Sequence, residues 1–119
     1  MNQYRADLHI HTVLSPCADL EMTPANIVNR AKEKGLQIIG ITDHNSIKNA
    51  LLVKKLAQKT GIFVLTGAEV TTKEEVHCLA FFEFENQLEQ FAMVAKGQYS
   101  IFGTAQSIQG FAHNLSIEK

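Results

Sequence analysis

The run from Leu36 to Thr42, with Ile38-Ile39-Gly40-Ile41 at its centre, constrains this chain more than any other stretch. It is apolar almost without alternation. A strand that is wet on one side alternates apolar and polar residues, whereas a near-continuous apolar run suits a strand covered on both faces, as in parallel sheets. Arg5 to His11 forms an earlier strand, with Leu8 and Ile10 on one face and Asp7, His9 and His11 on the other, because strand side chains alternate. Ile62 to Thr66 forms a third. A helix lies between the first two: Thr23 is its N-cap, Pro24 its first residue, and Ile27, Val28 and Ala31 its buried stripe. It runs to about Lys34, and Gly35 stops it. Leu51, Leu52, Lys55, Leu56 and Lys59 pattern a second helix, capped by Asn45 or Ser46 and ending before Gly61. Val70 to Thr72 and Val76 to Phe82 are further strands, separated by Lys73-Glu74-Glu75. Glu85 to Ala95 is a further helix. After Gly97 the periodicity dissolves, so residues 97–119 form a divergent tail.

Strand, helix, strand, helix, strand predicts an α/β fold with an at least partly parallel sheet. A complete eight-unit barrel uses about 31 residues per βα unit. The 119 residues therefore hold about four units, as an open sheet or part of a barrel in one domain, 1–119. Hydrophobic residues make up 45% and charged residues 19%, which excludes a disordered chain. The net charge of -1 excludes a strongly basic nucleic-acid or membrane binder. No apolar run approaches the roughly 18 residues of a membrane span, and no signal-peptide pattern opens the chain. Cys17 and Cys78 make no CxxC motif and no disulfide framework, so a cytoplasmic location is expected.

Chemistry concentrates at the predicted strand ends. In Asp7-Leu8-His9-Ile10-His11, two imidazoles at i and i+2 point the same way and can converge on one cation. Asp7 can orient such a ligand. An isolated HxH is more often two ordinary histidines, so position decides. Thr42-Asp43-His44 ends the buried strand, and sites in parallel α/β sheets lie at carboxyl ends of strands. Gly67-Ala68-Glu69, just past the third strand, brings a carboxylate to the same rim. His77 begins an apolar strand, an odd place for a polar ring without a partner. Cys17 is a thiolate ligand or a small buried loop residue, and Cys78 faces the core. His113 is the remaining histidine, either a ligand or an exposed tail residue. Phosphate-cradling loops, nucleophile elbows and HExxH are absent. Phe81-Phe82-Glu83-Phe84 reads as core, without the interleaved basic residues of a base-stacking surface.

Together, Asp7-Leu8-His9-Ile10-His11-Thr12, Ser15-Pro16-Cys17, Gly40-Ile41-Thr42-Asp43-His44-Asn45, Gly67-Ala68-Glu69-Val70 and Val76-His77-Cys78-Leu79 resemble the PHP (polymerase and histidinol phosphatase) family over residues 6–82. The resemblance implies a distorted, TIM-like (βα) barrel, seven-stranded when complete, with this chain holding about the first four βα units. It implies two or three divalent ions, Zn, Mn or Fe. His9 and His11 would bind one ion, Glu69 would bridge it to a second held also by His77, and His44 would bind a third with Cys17, where relatives often carry His. Asp7 and Asp43 would support them. The family continues further and supplies a later His, usually before Pro, and a late Asp-x-His. This chain has no Asp after Asp43, and Ala112-His113-Asn114 has Asn where Pro is usual.

The expected function is metal-dependent phosphoester hydrolysis through a metal-activated water, with Glu69, Asp43 and His44 as catalytic candidates. The near-neutral charge favours a small phosphorylated substrate or nucleotide over nucleic-acid ends. Arg30 and Lys48 are the candidate phosphate contacts. A homo-oligomer is expected, because an incomplete barrel leaves strand edges open. Two alternatives stand: a non-catalytic metal-binding or structural remnant, and an amidohydrolase-like metal hydrolase, which also opens with HxH on its first strand.

Overall fold

In a computed structural model, which describes residues 2–44, 46–71 and 75–96, four strands form one sheet in the order β1-β2-β3-β4. The elements are β1 (Ala6–Ile10), α1 (Pro24–Glu33), β2 (Ile38–Ile41), α2 (Lys48–Ala57), β3 (Phe63–Thr71), β4 (His77–Phe82) and α3 (Glu85–Lys96). β1, β2 and β3 are parallel, joined by two βαβ crossovers. β4 returns antiparallel to β3. The fold is thus α/β with a mixed sheet, and the fourth strand belongs to a hairpin rather than to a fourth parallel βα unit.

Helix α1 is delimited by its own sequence. Thr23 Oγ1 accepts the Asn26 N–H, and Pro24 needs no partner for the amide it lacks. At the other end Gly35 adopts φ +66°, open to glycine without strain, and the Gly35 and Leu36 amides return to the carbonyls of Lys32 and Ala31. Helix α2 departs from expectation. Ile47 occupies its cap position with no side-chain bond, so Ser46 does not cap it, and Asn45 lies outside the described residues. Its buried stripe is Ala50, Val53 and Ala57, while Leu52 and Leu56 stay largely exposed. Small residues on the inner stripe let α2 approach α1 and the sheet closely.

One face of the sheet carries the core. Ile39, Ile41 and Val64 pack against Ile27, Val28 and Ala31 of α1 and the inner stripe of α2. Ala68, Val70, Ala80 and Phe82 pack against Leu88 and Phe91 of α3. By register the other face holds Leu8, Ile38, Gly40, Phe63, Leu65, Gly67, Leu79 and Phe81. No described helix covers it, and Leu8 and Phe63 remain 42% and 61% exposed. The Phe81 ring lies against both Gly40 and Gly67: a Cβ at either position would come within 2.9 Å of it.

At Gly67 an added Cβ would also meet the Ala80 carbonyl oxygen across the hairpin, and backbone cannot turn aside. Gly67→Ala should therefore cost about 1–3 kcal/mol, read as a lower urea midpoint. An unchanged midpoint would show that β3 and β4 do not approach this closely.

Candidate metal centre

The site begins with a slip in β1. Asp7 pairs with Ile39 but Ile10 pairs with Ile41, so β1 advances three residues while β2 advances two. The extra residue is a bulge, and it changes which side chains share a face. Asp7 falls on the helix side, where it lines an open cleft of about 660 Å³ with Ile10, Ile27 and Arg30. His9 stays on the uncovered side. The expected common face of Asp7, His9 and His11 is therefore broken at Asp7, whose carboxylate accepts the His9 backbone N–H at 3.2 Å.

The second placement corrects Glu69. It does not follow a strand but lies within β3, paired with Leu79, and the expected strand at Val70 is the same element. The β2–β3 ladder reaches it through a parallel bridge between His44 and Glu69, with the Glu69 N–H donating to the Asp43 carbonyl at 2.9 Å. Four imidazoles surround this one carboxylate. Glu69 Oε2 lies 3.1 Å from His9 Nε2, 2.9 Å from His11 Nε2 and 3.5 Å from His44 Nε2, and Oε1 lies 2.8 Å from His77 Nδ1. The carboxylate is buried, while His9 and His77 are half exposed. The His11 and His44 rings stack with centroids 4.7 Å apart.

Behind the rings lies a second carboxylate. Asp43 is fully buried. Thr12 donates to it its backbone N–H at 2.6 Å and its hydroxyl at 2.5 Å, and Ser15 Oγ adds a third bond at 2.8 Å. Both Asp43 oxygens are thus engaged inside the protein, so Asp43 supports the site and does not face a reacting group. Ser15, having given its proton to Asp43, accepts the His44 backbone N–H at 3.1 Å and meets His11 Nδ1 at 3.1 Å. His11 Nδ1 must then carry the proton, which leaves a lone pair on Nε2. That lone pair faces Glu69 Oε2 and lies 2.9 Å from His9 Nε2. His9 Nε2, His11 Nε2 and Glu69 Oε2 thus converge at one point, a donor set that suits a divalent cation between them.

The electrostatics agree. Burial holds the His11 imidazole below its usual range, reinforced by the nearby rings of His44 and His9 and only partly opposed by the charge of Glu69. Burial alone would raise the Glu69 carboxyl, but hydrogen bonds from His9 and His77 and the charges of His44 and His9 outweigh it and hold it below its usual range.

Three groups of possible ligands result, each with donor atoms within 4.8 Å of one another: His9, His11 and Glu69; His44, Glu69 and His77; and His11, Cys17 and His44. The structure thus brings together every described histidine, Glu69 and Cys17. His113 lies outside the described residues. Cys78 packs towards the α3 core as expected. Arg30 lines the cleft on the helix side, and Lys48 is an exposed residue opening α2. Thr12, Ser15 and Asn49, which donates to Thr12 Oγ1 at 2.9 Å, were not foreseen as supports. Ser15 stands one helical turn's length after His11, but Asn49 carries no signal. Among the described residues no helix is long and apolar enough to cross a membrane.

Both shifted groups bind protons more weakly folded than unfolded. Their contribution to stability is complete above the ordinary histidine value of about 6.5 and is lost as pH falls. The loss begins through the His11 range and continues below about pH 4.3 through that of Glu69. With chelator present, urea midpoints should fall from about pH 6.5 to about pH 3, and Glu69→Gln should flatten the limb below about pH 4.5. Midpoints that rise on acidification would contradict this geometry.

The comparisons with known proteins point the same way. The chain is 40% identical over 78 residues to an uncharacterized protein of Methanocaldococcus jannaschii, covering 59% of this chain and 46% of that one. It is 32% identical over 69 residues to a 5'-3' exoribonuclease of Haemophilus influenzae, covering 58% and 24%. A crystal structure of a Bifidobacterium adolescentis protein, provisionally named a metal-dependent phosphoesterase, superposes with a TM-score of 0.63 at 28% identity, covering 81% of this chain and 33% of that one. The chain thus spans less than half the length of each of these relatives. The family model for the PHP domain matches residues 7–115, and with the strand-end ligands in place the chain belongs to the PHP domain family.

Proposed function

We propose that this chain carries the ligand-bearing part of a metal-dependent phosphoesterase acting on a small phosphorylated substrate or nucleotide. The observation that carries the reading is one buried carboxylate with four imidazole nitrogens within 3.5 Å. His9, His11 and Glu69 would hold one divalent ion and His44, Glu69 and His77 another, with Glu69 shared between them. Zn, Mn and Fe all suit imidazole and carboxylate ligands. Such ions supply Lewis acidity to a phosphoryl oxygen and lower the pKa of a bound water. The chain's own contribution is orientation. Ser15, held by Asp43, keeps the His11 proton on Nδ1, and the Glu69 oxygens face opposite sides of β3. The family name of the superposed crystal structure supports this reaction class, and the net charge of -1 favours a small substrate over long nucleic acid. The unpaired thiols of Cys17 and Cys78 suit a reducing cytoplasm.

The test is metal analysis together with turnover of a phosphomonoester and, separately, of a cyclic amide. The protein should retain Zn or Mn after gentle purification, and His9→Ala should abolish most of that binding. Ser15→Ala, which removes the partner of His11 Nδ1, should weaken metal affinity about 10- to 100-fold. Phosphomonoester turnover with Mn should be measurable but low for residues 1–119, in which the two proposed ions share Glu69 as their one carboxylate ligand. Amide turnover without phosphomonoester turnover would replace this reading with the amidohydrolase one. Metal binding with neither activity would favour a non-catalytic remnant, and no metal binding at all would overturn the reading.

A further inference from the structure

Two edges of the sheet and one of its faces meet no partner among the described residues. β1 and β4 are the outer strands of the order β1-β2-β3-β4, and each turns one row of backbone groups away from the sheet. The face opposite the helices carries Leu8, Ile38, Phe63, Leu65, Leu79 and Phe81. Leu8, Phe63 and Leu79 are its most open side chains, and Phe63 is 61% exposed.

The two edges match each other. β1 and β4 run in opposite directions. Half a turn about an axis along the sheet therefore sets the β4 of a second copy beside β1, and its β1 beside β4, both as antiparallel pairs. No edge is left over, and the ring closes at eight strands. Eight is the number at which side chains just fill a barrel interior, in about three layers of four. The large apolar residues of two uncovered faces supply that many.

The helix side agrees. Beside β1 the core opens into the cleft of about 660 Å³, where Ile10, Met22, Ile27 and Leu36 line the wall. α3 covers the β3–β4 side of the sheet, so in the closed ring the α3 of the second copy comes next to this cleft. α1 hands over to the start of β2, and α3 leaves the end of β4. Both points lie at the end of the sheet away from the histidines. There α1 brings Arg30 and Lys34 to the cleft, outnumbering Glu33, and α3 begins with exposed Glu85 and Glu89. Opposite charges thus meet at one level.

We propose that two copies of this chain close one eight-stranded barrel, burying their uncovered sheet faces against each other, with the α3 of each copy seated against the α1 of the other. Both histidine clusters then open on the same rim. Closure uses apolar side chains, strand edges and helix charges, so it does not depend on metal.

Sedimentation of the 119-residue chain, with and without chelator, tests it. The expected species is a dimer of the 13.2 kDa chain over a wide concentration range. Phe63 is mostly exposed in one copy, so Phe63→Asp should leave the fold intact by circular dichroism yet raise the dimer dissociation constant at least about 30-fold. Leu56→Asp, on the outer side of α2, should leave it within about twofold. Reversing Arg30 and Lys34 to Glu should weaken the dimer about threefold to tenfold, and adding Glu85→Lys and Glu89→Lys to that variant should restore it. Amide exchange in β1 should slow in the dimer relative to the Phe63→Asp monomer. A monomer at every concentration, as when residues 97–119 cover the face within one chain, would overturn the proposal. So would assemblies that grow beyond the dimer, which show edges pairing without closure. A dimer that Phe63→Asp leaves intact, or that the charge swap does not restore, would place the interface elsewhere and overturn it too.

Discussion

Everything at this site depends on the bonds that Asp43 receives. A carboxylate with no exposure is costly unless several donors meet it, and Thr12 and Ser15 supply three. Those bonds join the loop after β1 to the end of β2. They also orient Ser15, which in turn holds the His11 ring and the His44 backbone. Removing Asp43 would leave buried hydroxyls without an acceptor and both imidazoles without a fixed reference. The four histidines around Glu69 converge because the strand ends beneath them are tied together, not because the histidines attract one another.

The sheet provides the second condition. β1, β2 and β3 run parallel, so their carboxyl ends lie on one rim, and antiparallel β4 begins at that rim with His77. Hairpin geometry thus brings the start of one strand beside the ends of three others. The glycines at 40 and 67 let the Phe81 ring approach the neighbouring strands closely.

Much of this was legible in the sequence. The apolar run of β2, the Thr23-Pro24 start and Gly35 stop of α1, and the ligand types at strand ends all follow from periodicity and local chemistry. What failed shows what periodicity cannot carry. Alternation places Asp7 with His9 unless a residue is added, and whether a strand bulges is decided by its neighbour's register. Glu69 reads as a loop residue because Gly67 and Glu69 break the apolar pattern, yet an antiparallel partner keeps both in the ladder. Of the α2 leucines read as its apolar stripe, Leu51 packs against the α3 core, but Leu52 and Leu56 stay exposed while Ala50, Val53 and Ala57 face the sheet and α1. Asn49 supports the site from a helix distant in sequence, and no local pattern marks such a contact. The family match then widened what the motifs could say, since it spans residues 7–115 and not the ligands alone.

The two oxygens of Glu69 serve different strands. Oε2 meets the rings from β1 and the end of β2, and Oε1 meets the ring from β4. The carboxylate therefore works as a rivet through the middle strand, and its reach matters as much as its charge. Aspartate would carry the same charge but withdraw both oxygens by about one carbon–carbon bond, roughly 1.5 Å. It could follow one side or the other, never both. Among acidic residues, only the length of glutamate lets one side chain in β3 address both flanks of the sheet.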